Sequence, residues 1–129
     1  MLIMLFWMLT GVVVYYAYVF APSLFTFARL GPAYFMGARD ADPTPGPVHG
    51  RAQRAHRNYQ ENLAPFLGLG VLSLIVPDAD AGQAVLGAQV FVLARIAYLP
   101  SYLAAVPVLR SGLYTVSFVG LVMMGLALV

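Results

Sequence analysis

Apolar residues fill four long blocks of the chain, and polar residues fall between the blocks or near one end of each. Residues 1–28 (MLIMLFWMLTGVVVYYAYVFAPSLFTFA) carry no charge, a longer run than the roughly 20 residues an α-helix needs to cross a ~30 Å hydrocarbon layer. A membrane span is predicted over about residues 3–28, with Pro22 near its end and Arg29 closing it as an interfacial anchor. The block lacks a basic leader and outruns the apolar core of about 7–15 residues in a signal peptide, so it reads as a span. Between Arg29 and Arg51, glycine and proline turn signals predict the longest loop of the chain. The second block begins as an arginine-rich helical turn and becomes uncharged and mainly apolar after Glu61, predicting a span over about 52–76. Asp78 and Asp80 mark a tight turn into a third span, about 81–103, and after Pro107 and Arg110 a fourth runs over about 109–129. The expected fold is an all-α integral membrane four-helix bundle of up-down topology, a single domain over residues 1–129.

Composition agrees with that pattern and narrows the function. Of 129 residues, 61% are hydrophobic and 9% charged, against about a quarter charged in soluble domains. A soluble enzyme, a disordered tail and a collagen-like chain are thereby excluded. Seven arginines face five acids for a formal charge of +2, too mild an excess for nucleic-acid binding. The chain has no cysteine, which removes disulfides, thiolate metal sites and a cysteine nucleophile. Thiol chemistry would therefore need a thiol carried by a ligand. His49 and His56 lack a third ligand at a recognisable spacing, so no metal is expected.

The arginines also orient the chain. Arg29, Arg39, Arg51, Arg54 and Arg57 surround the first loop and Arg110 sits in the third, while the second carries only acids. The positive-inside rule then places the first and third loops in the cytoplasm and both termini opposite. Gly82, Gly87 and Ala88 give a small-residue spacing suited to close helix approach.

Several polar residues stand where hydrocarbon is expected. Arg54, Asn58 and Glu61 are spaced i, i+4, i+7 on one face of the second helix, with Arg51 one turn earlier and Arg57 beside them. An arginine collar at the lipid phosphates, with Glu61 as counter-ion, is the bland alternative. On the third helix Arg95, Tyr98 and Tyr102 share a face unless Pro100 bends it. There the bland roles are an Arg95–Glu61 pair and an aromatic belt. Arg110 opens the fourth helix, followed by Ser111 and Tyr114. A cation near a helix N-terminus opposes the macrodipole, so an anion there would be welcome. Together these residues suit a small, anionic, hydrogen-bond-rich guest beside a lipophilic partner arriving through the bilayer.

Arg54-Ala55-His56-Arg57-Asn58-x-x-Glu61, then Pro65-Phe66, Ala94-Arg95-x-x-Tyr98-x-x-x-Tyr102 and Arg110-Ser111, resemble the membrane-associated proteins in eicosanoid and glutathione metabolism (MAPEG) across all four spans. The Tyr98-x-Pro100-x-Tyr102 variation is similar to bacterial members. The resemblance implies a homotrimer of four-helix subunits that binds glutathione between neighbours near the cytoplasmic face. It matches Arg54, Asn58 and Glu61, with Arg57 beside them, to glutathione-binding positions, and Tyr98 and Tyr102 to positions that contact the peptide. Arg110 matches an arginine credited with stabilising the thiolate, Ser111 is a secondary catalytic candidate, and Arg29 corresponds to a first-helix arginine that grips a carboxylate. Arg95 and Tyr114 complete the expected binding set. Some members carry a tyrosine after the motif's glutamate, where Asn62 stands here.

The resemblance and the residues meet on one chemistry. Glutathione brings two carboxylates for arginine forks and one ammonium for Glu61. A free thiol with a pKa of about 8.5 is only ~3% ionised at pH 7. Lowering that pKa by about two units asks nearly 3 kcal/mol of Arg110 and its surroundings. The expected activity is transfer of glutathione to lipophilic electrophiles, or reduction of lipid hydroperoxides with it. A non-catalytic lipid-binding scaffold and a small transporter coupled to Glu61 are the alternatives.

Overall fold

A computed structural model describes residues 1–37 and 46–129, and among these it contains helices and no strand. Four are long: α1 (Leu2–Leu30), α3 (Pro47–Ile75), α4 (Ala81–Leu103) and α5 (Pro107–Leu126), with the single-turn α2 (Pro32–Met36) after α1. Three of them, α1, α4 and α5, are long and apolar enough to cross a membrane. The predicted second span is not among these three, although α3 has 29 residues, about 43 Å of helix. The reason is its first half, where Arg51, Arg54, Arg57 and Glu61 interrupt the apolar run.

The expected long loop is shorter than glycine and proline suggest. Gly31 at φ 77° ends α1, Pro32 starts α2 and Pro47 starts α3 near its first position. Proline's fixed φ suits a helix start, and its missing N–H is one the first turn leaves unbonded anyway. Gly-Pro therefore opens a helix here where a turn is the simpler reading. Arg39 lies outside the described residues. Pro22, Pro65 and Pro100 all sit within continuous helices, so Tyr98 and Tyr102 stay on one face, their rings 5.7 Å apart.

Consecutive long helices alternate in direction. Asp80 caps α4 by accepting from the Gln83 amide (2.9 Å), and its own N–H donates to the Ala127 carbonyl beyond α5 (2.7 Å). The α4–α5 crossing is a backbone contact: a Cβ on Gly87 would stand 2.6 Å from the Gly120 carbonyl oxygen, and a Cβ on Gly120 2.6 Å from that of Gly87. Gly82 takes no part in this crossing, since its Cβ would meet only Asp80. Helix α1 lies on α3, where Tyr59 donates to the Gly11 carbonyl (2.7 Å) and Met8 fills the space over Gly70. Between the helices runs a column of stacked rings. Phe66 lies on Phe91 (4.5 Å), Phe91 on Tyr59 (5.9 Å), Tyr59 on Tyr18 (4.8 Å) and Tyr18 on Tyr98 (6.5 Å). This rigid core holds the facing sides of α3 and α4 in register.

Candidate functional site

The ends of α3, α4 and α5 meet where α4 stops. The stop is a Schellman turn: Val106 N–H donates to the Ser101 carbonyl and Ala105 N–H to that of Tyr102, each at 3.1 Å. Ala105 adopts φ 57° at the position usually held by glycine. Arg51 of α3 donates from Nε to the Leu103 carbonyl (3.1 Å), a cation on the negative end of α4.

Around this turn Arg51, Arg54, Tyr102 and Arg110 line a hollow of about 240 Å³ together with Ala105, Val106 and Pro107. Tyr102 organises it. Arg54 Nε donates to its hydroxyl (3.2 Å), and the Arg110 guanidinium lies over its ring, 4.9 Å from the centroid. Three guanidinium groups share this hollow, and among the described residues no carboxylate lines it. Like charges about 4 Å apart repel by about 1 kcal/mol in water and more near protein, so an anion is the natural occupant of a hollow lined by three cations. The first turn of α5 adds the positive end of its dipole.

Arg110 also lines an adjoining hollow of about 240 Å³, with Asn58, Tyr98, Ser111, Tyr114 and Thr115. Behind it Arg95 is 1% exposed. Its guanidinium donates from Nη1 to Asn58 Oδ1. Four rings surround it, Tyr98 at 5.1 Å, Tyr59 at 5.4 Å, and Phe91 and Tyr114 each at 5.5 Å. The bland alternative of an Arg95–Glu61 pair is not formed: Asn58 stands at the level of Arg95, and Glu61, almost one turn further along α3, is exposed.

Of the residues expected from the sequence, Arg54, Asn58, Tyr98, Tyr102, Arg110, Ser111 and Tyr114 line the two hollows, and Arg95 reaches them through Asn58. Arg29, Arg57 and Glu61 line neither. Arg29 stands at the start of α3, where a Cβ on Gly46 would lie 3.3 Å from its Nη1. Arg57 and Glu61 point outward from α3. Arg51, noted on the sequence only as a neighbour of the set, is a full lining residue. Thr115 was missed, although it stands four residues after Ser111 and donates to its carbonyl (3.0 Å). Among the described residues no three histidine, aspartate or glutamate side chains gather as a metal site. His49 instead joins α3 to α1, with Nδ1 2.7 Å from Thr26 Oγ1 and 2.9 Å from the Pro22 carbonyl.

The sequence is similar to known proteins. The chain is 45% identical over 64 residues to the microsomal glutathione S-transferase 1 of Sus scrofa, a stretch covering 49% of this chain and 40% of that protein. It is 47% identical over 58 residues to the proteins of the same name from Bos taurus and Homo sapiens, covering 44% of this chain and 36% of each. The matched stretch is therefore less than half the length of these relatives. The MAPEG family model matches residues 4–129, almost the whole sequence, and the chain belongs to the MAPEG family.

Proposed function

We propose that this protein is a membrane-embedded glutathione-dependent transferase or peroxidase, acting on lipophilic electrophiles or hydroperoxides. The observation that carries this reading is Arg110, whose guanidinium borders both hollows and is held over Tyr102. The carboxylates of glutathione suit Arg51 and Arg54, while Asn58, Tyr98, Tyr102 and Tyr114 supply hydrogen bonds and walls. Arg110, with Ser111 beside it, stabilises the thiolate. That thiolate displaces a halide from an activated carbon, or attacks a hydroperoxide oxygen, breaking the O–O bond to release an alcohol and a sulfenic acid that a second glutathione converts to disulfide and water; the second reactant enters from the lipid. Glutathione-dependent relatives support the thiol.

The same reading makes the chain a four-helix bundle that assembles as a homotrimer. Gln53, Arg57, Gln60 and Glu61 are all exposed on α3 of a single copy. Leaving charged side chains against hydrocarbon costs several kcal/mol in total. Packing α3 helices of neighbouring copies together relieves that cost, makes α3 the fourth span, and brings Glu61 and Arg57 toward a neighbour's hollows. The arginine-rich end then faces the cytoplasm, with both termini on the other side.

The test is turnover of a chloronitrobenzene or an organic hydroperoxide by purified protein, with thiolate followed near 240 nm on mixing with glutathione. Arg110→Ala should abolish the thiolate signal and keep much of the glutathione binding. Equal loss of both refutes the role given to Arg110. Absence of binding and turnover in the unaltered protein favours the non-catalytic lipid-binding reading.

A further inference from the structure

Arg95 is fully buried, yet among the described residues it has no carboxylate partner, and its Nε has no hydrogen-bond partner. Among the described residues its guanidinium donates to Asn58 Oδ1. A guanidinium has only donors to offer, so it admits only the oxygen end of the Asn58 amide. The amide nitrogen is then the end left for other partners. Asn58 lines the hollow that Arg110, Ser111 and Tyr114 also line.

We propose that Arg95 is a positioning residue that locks the Asn58 amide with its NH2 end toward the hollow, so that this wall donates to an anionic group of the bound ligand. The inference rests on the glutathione reading above and adds a specific polarity to one wall of the site. An amide free to rotate would present its oxygen to the hollow part of the time, and an arriving anion would have to turn it before binding. The ring cage contributes rigidity. With faces at 5.1–5.5 Å on four sides, the guanidinium is held by cation–π attraction and cannot follow Asn58 if the amide turns.

Two substitutions separate positioning from simple support of the fold. Asn58→Asp creates an ion pair with Arg95 and turns a carboxylate oxygen toward the hollow. Its melting temperature in detergent should equal or exceed that of the unaltered protein, while glutathione binding weakens at least tenfold, about 1.4 kcal/mol. Arg95→Gln keeps a donor for Asn58 Oδ1 without the charge, and Arg95→Met keeps neither. Binding by calorimetry should fall at least about fivefold in Arg95→Met and recover substantially in Arg95→Gln. Unchanged binding in Asn58→Asp overturns the proposal, even if the Arg95 variants do not fold. Rescue by Arg95→Lys but not by Arg95→Gln also overturns it, because charge alone would then suffice. If the unaltered protein binds no glutathione, the functional reading fails first. A melting-temperature double-mutant cycle between Arg95→Met and Asn58→Ala, run without ligand, still decides the lock: coupling supports it, and additivity removes it.

Discussion

Ala105 sits at φ 57° where the chain leaves α4, a conformation that costs a residue with a Cβ about 1–2 kcal/mol. The two carbonyl contacts of the turn hold it there, and it borders the hollow beside Arg51, Arg54 and Arg110. Ala105→Gly removes the steric cost and adds some unfolded-state entropy. The expected net gain is about 0.5–1 kcal/mol, read as a higher melting temperature in detergent; a lower one means the methyl group is packing against something the turn needs. Single residues of the site were legible to different degrees. Arg54, Asn58, Tyr98, Tyr102 and Arg110 stood out because a charged or amide side chain in an apolar helix needs a reason. Thr115 and Ala105 did not, since a hydroxyl that bonds its own helix and a small apolar residue are unremarkable in such a segment.

Among the helices, the decisive contact is the α4–α5 crossing. Gly87 and Gly120 place two backbones against each other, with no room for a Cβ on either side. This crossing sets the relation between Tyr98 and Tyr102 on one helix and Arg110 and Ser111 on the other. Gly87→Leu should force the pair apart and lower the melting temperature by an amount corresponding to about 2–4 kcal/mol. Gly125→Ala, with nothing within 4 Å of its Cβ, serves as the control and should be neutral or mildly stabilising. The helices themselves were readable because long, mainly apolar runs with few charges have few other fates. The starts of α2 and α3 were not, because Gly-Pro is equally at home in a turn and in the first turn of a helix, and only the following contacts choose.

At the scale of the whole molecule, the exposed polar face of α3 conflicts with a lipid surround. The absence of cysteine makes the trimer proposal easy to examine, because any introduced thiol is the only one. Gly68 is exposed on α3 with nothing within 4 Å of its Cβ. Gly68→Cys should form disulfide-linked pairs of subunits in membranes under mild oxidation, with a mass of three chains in gentle detergent; a monomer by both measures removes the assembly and with it the roles for Glu61 and Arg57. The sequence alone determined that the chain is helical, that it belongs in a membrane, and which polar residues are out of place there, because hydrophobic run length and the cost of buried charge act along the chain. Tertiary structure decided the partners. Arg95 binds Asn58 and not Glu61, Arg51 joins the site and Arg29 does not, because helix rotation and crossing depth, set by stacked rings and a glycine pair, determine which side chains meet across helices. Those quantities belong to packed pairs of helices and leave no separate mark on either segment.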